Sequence, residues 1–163
     1  MNKMKFEFEK QDTANDGDFI YREDECSFDF ESKTKQNGIT SLLVNDLNIE
    51  LDPSGKLLHT WGLCPYQNWV PEPISPPSSI KSGSIYFKDS EPIVAGVSVQ
   101  IAGPNEWKIS VNKKNGWVCI GDSSSTPNSN AISFAIDQVA VLSDSGELLA
   151  LWLKPLQLPR LTP

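Results

Sequence analysis

The chain has 163 residues, of which 39% are hydrophobic and 21% are charged. This length and composition predict a folded domain with a substantial core and exclude an intrinsically disordered chain. No apolar run reaches the roughly 18 residues that a membrane-spanning helix needs, and the first residues alternate apolar and charged side chains, unlike a signal peptide. The three cysteines form no CxxC pair and cannot all join in disulfides, so we expect reduced thiols and a cytoplasmic location.

The net charge of −7 is concentrated near the amino terminus. Residues 1–31 hold ten acidic side chains against four basic ones, whereas the rest of the chain is nearly balanced. Such a segment repels nucleic acid and anionic membranes and attracts basic proteins. The simpler interpretation of these acids, that they form a solvated strand face that aids solubility, remains an alternative. The acids predicted to contact a basic partner are Glu23, Asp24, Glu25, Asp29 and Glu31.

Alternating patterns predict strands in the first half of the chain. The stretches "KFEFEK" (5–10) and "CSFDFES" (26–32) each place phenylalanines on one face and charged residues on the other. The stretch "LNIELDPSGKLLHTW" (47–61) predicts a hairpin that turns at "DPSG", with Gly55 in the left-handed conformation. Residues 70–83 include four prolines within eight positions, which excludes a central strand or helix. They form either a linker between two lobes or a stiff surface loop.

The second half of the chain has the same character. The stretch "VAGVSVQIAGPNEWKISV" (94–111) predicts a hairpin turning at "GPNE", and "NKKNG" (112–116) turns into the strand "WVCI". The stretch "AISFAIDQVAVL" (131–142) fits a helix or a strand, and its β-branched content favours the strand. After the turn "SDSG", residues 147–155 are its expected hairpin partner, and the tail at 156–163 is expected to be extended.

These elements predict an all-β fold with little or no helix. The expected architecture is a single domain over residues 1–163, an antiparallel β-sandwich or open barrel of about nine to eleven strands. One internal echo accompanies it, because "SGKLLHTW" (54–61) and "SGELLALW" (145–152) share five residues at the same spacing. Duplication of a unit explains the echo, and so does coincidence between two strong hairpins, which we favour.

The stretch "HTWGLCPYQNWVPEP" (59–73) groups the only histidine with a cysteine and three large aromatic residues. If Leu57 points into the core, strand alternation sends His59 and Trp61 there as well, and Cys64 is then an inert small hydrophobe. The alternative is a ligand-binding groove beside the proline-rich passage, since aromatic rings give a large contact area at a low entropic cost. The residues predicted to line that groove are Trp61, Tyr66 and Trp69.

No catalytic or metal-binding constellation is predicted. Cys64 lies five residues after His59 across an expected bend, which does not imply a nucleophile–base pair. Against the calcium-binding EF-hand loop, Asp12, Asp16 and Glu23 fit their positions, but Ala14 has no oxygen to offer and the flanks are strand-like. Neither cofactor nor metal is therefore expected.

The absence of a catalytic pattern leaves two classes of function. The first is a non-enzymatic protein-interaction module, such as an acidic antidote, immunity-like or adaptor protein that binds a basic partner, with charge complementarity providing rate and specificity. The alternative is a small-ligand or carbohydrate-binding β-domain that uses an aromatic groove. The oligomeric state and the identity of the partner have no signal in the sequence.

Overall fold

The computed structural model describes residues 5–10, 15–89, 91–124 and 129–161. These residues form fourteen strands and two short 3-10 helices, Glu23–Glu25 and Tyr66–Asn68, and neither helix has the length and hydropathy needed to cross a bilayer. The strands are β1 (Lys5–Lys10), β2 (Gly17–Arg22), β3 (Ser27–Ser32), β4 (Thr40–Val44), β5 (Leu47–Leu51), β6 (Leu57–Leu63), β7 (Val70–Pro71), β8 (Ile80–Lys88), β9 (Val99–Ala102), β10 (Ile109–Val111), β11 (Val118–Gly121), β12 (Ser129–Ala135), β13 (Gln138–Ser143) and β14 (Leu148–Leu153).

The strands form two packed sheets, which confirms the all-β prediction. An eight-stranded sheet has the order β1-β8-β12-β13-β14-β11-β10-β7, and a six-stranded sheet has the order β2-β3-β6-β5-β4-β9. Most neighbours are antiparallel, but β4–β9, β7–β10 and β8–β12 are parallel, so the sheets are mixed and not purely antiparallel as expected. Each sheet turns one face toward a shared hydrophobic core.

A buried polar contact joins the two sheets through that core. The Gln138 side-chain oxygen on β13 accepts hydrogen bonds from the backbone N–H of Thr60 on β6 (2.6 Å) and from the Thr60 hydroxyl (2.8 Å). Both side chains are fully buried. The contact gives the Thr60 N–H and hydroxyl an acceptor in a core that otherwise offers them apolar neighbours, and it fixes β6 against β13.

Two predicted elements differ from the structure. The prediction of a hairpin over 94–111 is wrong, because β9 pairs with β4 in one sheet whereas β10 pairs with β11 in the other. The turn at "GPNE" is present, with Glu106 N–H donating to the Gly103 carbonyl (3.1 Å), but it carries the chain between the sheets. Alternation in sequence looks the same for strands in one sheet and strands in facing sheets, so the pattern could not separate them.

The second difference concerns residues 131–142, which we predicted to be one strand and which form parts of two, β12 and β13. A two-residue turn separates β12 from β13, and Asp137 adopts a positive φ of 58° there. A short polar side chain tolerates this conformation, so the turn forms without the glycine or proline that usually marks one. This split, the short β7 and the separation of β9 from β10 raise the strand count above the predicted range.

The two sheets contain the same five-strand unit. Strands β2 to β6 have the spatial order β2-β3-β6-β5-β4, and β10 to β14 have the order β10-β11-β14-β13-β12. Phe19 pairs with Phe30, and ninety positions later Ile109 pairs with Ile120. Both units even break register at corresponding points, after Glu50 in β5 and after Val141 in β13.

The turns of the two units agree as well. Gly55 and Gly146, the glycines of the two "SG" turns, have φ values of 86° and 85°. Their carbonyls accept hydrogen bonds from Phe87 N–H (2.8 Å) and Phe6 N–H (2.7 Å), and Phe6 pairs with Phe87 across β1 and β8. The agreement extends over five strands and not only over two hairpins, so the structure favours internal duplication over the coincidence that we preferred.

The cross-sheet contact makes a testable prediction. Gln138→Ala leaves the Thr60 N–H and hydroxyl without an acceptor and opens a cavity, so the free energy of unfolding in urea should fall by about 2–4 kcal/mol. The control Gln100→Ala removes an exposed side chain and should change it by less than about 0.5 kcal/mol. A loss as small as that of the control would show that the sheets do not depend on Gln138.

Candidate functional site

The outer face of the six-stranded sheet is the candidate site, and we call it the open face. On β2, β3, β5 and β6 the side chains alternate, so that the residues between the buried ones project away from the core. The strand residues of this face that carry charge or an aromatic ring are Asp18, Arg22, Asp29, Glu31, Glu50, His59 and Trp61.

A β-bulge decides which side of β6 faces outward. Glu50 pairs with His59, but Leu51 pairs with Leu57, so Leu58 is an extra residue in the ladder. Leu57 and Leu58 are both buried, and beyond them the alternation is reversed from what a regular strand would give. The expectation that Trp61 follows Leu57 into the core is therefore wrong: the ring is 39% exposed on the open face.

Trp61 forms one side of a shallow polar depression of about 390 Å³. Its indole N–H donates a hydrogen bond to Glu50 (2.9 Å), which holds the ring in place. The other residues around the depression are Asp29, Gln36, Gly38 and His59. Gln36 and Gly38 come from the loop between β3 and β4, so this loop completes the site.

His59 is neutral at physiological pH. Burial lowers the pKa of the imidazole to about 4, and the nearby Asp29 carboxylate opposes that shift only in part. The ring Nδ1 lies 2.7 Å from the Gln36 side-chain oxygen, so a neutral ring donates its proton there and keeps Nε2 as an acceptor. The Gln36 amide nitrogen is shielded from solvent and has no hydrogen-bond partner among the described residues.

Arg22 is the single cation among the strand residues of the open face. Its guanidinium lies 3.0 Å from Asp29, 3.4 Å from Glu31 and 3.8 Å from Glu25. These partners raise its pKa further, so the charge is permanent. With His59 neutral, the strands of the open face carry one positive charge and four carboxylates, those of Asp18, Asp29, Glu31 and Glu50. The face is therefore negatively charged.

The five predicted partner-binding acids fall into two groups. Asp29 and Glu31 lie on the open face, on either side of Phe30 in β3. Glu23, Asp24 and Glu25 form the short 3-10 helix that joins β2 to β3, at the rim of that face. Partner binding by these acids stays a prediction.

The structure does not bring Trp61, Tyr66 and Trp69 together in one groove. Trp69 is 6% exposed and packs in the core against Phe28, with ring centroids 5.9 Å apart. Tyr66 is half-buried beside Tyr21, whose hydroxyl accepts a hydrogen bond from Tyr66 N–H and donates one to the Cys64 carbonyl. Of the three predicted rings, Trp61 is therefore the exposed one.

The two buried thiols are poorly suited to nucleophilic chemistry. Cys64 lies buried in the core while His59 is on the open face, so the two do not form a nucleophile–base pair. Burial raises the pKa of both the Cys64 and Cys119 thiols to about 12. A thiol with such a pKa is protonated and unreactive at neutral pH.

The second half of the acidic stretch at 12–23 does not have the loop conformation of an EF-hand. Asp12 and Ala14 lie outside the described residues, but Gly17 to Arg22 are the strand β2. Within the part of the chain that the structure describes, no three His, Cys, Asp or Glu side chains come together as a metal site would require.

The corresponding outer face of the eight-stranded sheet is covered, and its chemistry differs. Trp152 pairs with Val139 just as Trp61 pairs with Asn48, so the two tryptophans occupy equivalent positions. Trp152 is only 1% exposed, whereas Trp61 is 39% exposed. Around Trp152 the second hydrophobic cluster of the protein contains Ile74, Cys119, Ala131, Val139, Val141 and Ala150.

The proline-rich passage provides the cover. After β7 pairs with β10 at the sheet edge, residues 72–77, which we call the strap, lie on the outer face. Glu72 bonds to Lys108 and to the Ser110 hydroxyl (3.1 Å). Ile74 packs in the cluster, and its carbonyl accepts hydrogen bonds from Asn112 (2.8 Å) and Asn115 (3.0 Å).

Comparison of the chain with protein-family models, with curated proteins and with solved structures finds no match. The open face is therefore the feature of the protein from which a function can be proposed.

The partly buried imidazole of His59 makes stability depend on pH. The unfolded chain protonates His59 below its ordinary pKa of 6.5, whereas the folded protein does so only near 4. The contribution of His59 is therefore complete above pH 6.5 and is lost as the pH falls toward 4, with a slope of at most about 1.4 kcal/mol per pH unit for one proton. Urea denaturation of wild type and His59→Gln at pH 7, 6 and 5 should show a steeper loss for wild type. Parallel losses in the two proteins would contradict the pKa assigned to His59.

Proposed function

We propose that this protein is a non-enzymatic interaction module that binds a basic protein partner through the open face. An acidic antidote, immunity-like protein or adaptor that acts in the cytoplasm is the type of protein we have in mind. The observation that carries the proposal is the exposed Trp61, which is bonded to Glu50 and shares a depression of the open face with Asp29. Three unpaired cysteines are consistent with a reducing compartment.

The site suits a positively charged side chain. A lysine or arginine placed over the Trp61 ring gains a cation–π contact and brings its charge close to the carboxylates of Asp29 and Glu50. Aromatic residues ringed by polar groups are the usual anchors of protein interfaces. The surrounding acids, Asp18 and Glu31, add long-range attraction that speeds encounter with a basic surface.

Capture experiments with the tagged full chain test this function. Wild type should retain a basic protein from the lysate of its source at about 50 mM salt and release most of it at about 500 mM salt. Asp29→Asn combined with Glu50→Gln removes two charges from the open face and should reduce the amount of that same protein retained at low salt by about tenfold.

A matched control comes from the β13–β14 turn. Asp144→Asn combined with Glu147→Gln removes the same charge from two exposed residues of the other sheet and should leave capture unchanged. Equal capture by wild type and both double variants would show that the open face is not the binding surface.

Carbohydrate binding is the second candidate, and the depression itself favours it. Sugars stack on exposed tryptophan rings and need several donors and acceptors nearby, which Asp29, Gln36 and Glu50 supply.

A titration of intrinsic fluorescence with common mono- and disaccharides tests this second candidate. If it is right, one sugar gives a saturable change that Trp61→Ala abolishes and Trp107→Ala, which changes a ring outside the depression, retains. No saturable change with any sugar in the panel would remove it from consideration.

A further inference from the structure

We infer that the open face takes an extended, basic segment of the partner, laid across the sheet as the strap is laid across the eight-stranded sheet. This inference rests on the proposed function and specifies how the partner binds. It comes from the repeated five-strand unit, because the strap covers the outer face of one unit and no described segment covers the outer face of the other in this way.

The covered face shows what the segment does. The strap runs over the outer face with no helix of its own, and its Ile74 side chain lies in the cluster around Trp152. Its backbone is held by side-chain amides, since Asn112 and Asn115 both donate to the Ile74 carbonyl. Ion pairing adds charge recognition, because Glu72 contacts Lys108, the residue that precedes β10.

Among the described residues, the open face has the approach to a strap but no strap. On the covered sheet the chain pairs with β10 through β7 just before the strap begins, and the tail contacts the equivalent edge strand, β2. There Leu156 N–H donates to the Phe19 carbonyl (2.9 Å), and residues 157–160 lie beside Tyr21 and Glu23. No counterpart of the strap lies on the open face among the residues that the structure describes.

The open face carries acids at positions where the face beneath the strap has one basic residue and two uncharged ones. The register places Asp18 where the covered face has Lys108, and Asp29 where it has Cys119. Glu50 stands where the covered face has Val141, since Glu50 pairs with His59 as Val141 pairs with Ala150. A segment suited to the open face therefore carries basic residues at the positions where the strap has Glu72 and Ile74.

The tryptophan is the feature that both faces keep. On the covered face, Trp152 lies in the same hydrophobic cluster as Ile74 of the strap and is fully buried. On the open face Trp61 offers the same ring to solvent, with its N–H already bonded to Glu50. The aliphatic stem of a lysine or arginine would cover the ring while its charged end reached Asp29 or Glu50.

Selection from a phage-displayed library of random nonapeptides on the immobilised full chain tests the inference. Enriched peptides should be rich in lysine and arginine, and their affinity should fall at least about tenfold for Trp61→Ala and for Asp29→Asn with Glu50→Gln. The control variant Asp144→Asn with Glu147→Gln should bind them as wild type does. Proline in place of a central residue should be tolerated, since an extended segment on a sheet face does not need that residue's N–H.

The other outcomes overturn the inference in distinguishable ways. Basic peptides that lose binding on proline replacement would need the backbone N–H of that residue, as a helix or a strand added to the sheet edge does, and the proposed function would stand while the extended segment across the face failed. A library without basic enrichment, or peptides indifferent to the open-face variants, would overturn the extended segment, and the capture experiment would then decide the proposed function separately. Sedimentation equilibrium provides a further check. If wild type is a dimer and Trp61→Ala is a monomer, the open face binds a second copy of this chain and not a basic segment of a partner.

Discussion

A sheet has two faces, and packing two sheets together buries only one face of each. The shared core of this protein is filled by the inner faces, with the Thr60–Gln138 contact satisfying polar groups between them. Each outer face must then be made polar or be covered by another part of the chain. The protein does both, once in each sheet, and the arrangement of the remaining structure follows from that division.

The duplicated unit shows how the division is encoded. One scaffold, with the same strand order, turn glycines and bulge, carries apolar residues on one outer face and polar residues on the other. The apolar version attracts the strap, and the prolines that exclude residues 72–77 from a central strand suit them to lie as an extended cover. The polar version is compatible with water without a cover, which leaves Trp61 as its one large exposed ring.

The sequence predicted the fold better than the site. Alternation and turn chemistry identified the all-β class and the hairpins at "DPSG", "NKKNG" and "SDSG", because these signals are local. Whether consecutive strands share a sheet depends on long-range pairing, so the separation of β9 from β10 had no local signal. The outward direction of His59 and Trp61 depends on one extra residue, Leu58, and a bulge of this kind leaves no mark in composition.

The site was predicted in part and for mixed reasons. The acids Asp29 and Glu31 were found through alternation with Phe28 and Phe30, and Trp61 through its residue type. Glu50 and Arg22 were present in the same alternating pattern but lacked a visible partner until β5, β2 and β3 were placed side by side. Gln36 comes from a loop, and its contact with His59 depends wholly on the tertiary fold.

We propose that the partner binds at the open face and contacts Trp61. The indole N–H groups of the five tryptophans can be followed separately by ¹⁵N-correlation NMR, with Trp61 assigned from a Trp61→Phe sample. On addition of the captured basic partner, the Trp61 signal should shift or broaden while the signal of the buried Trp152 stays in place. A partner that binds and moves Trp152 or Trp117 while Trp61 is unchanged would contradict the account.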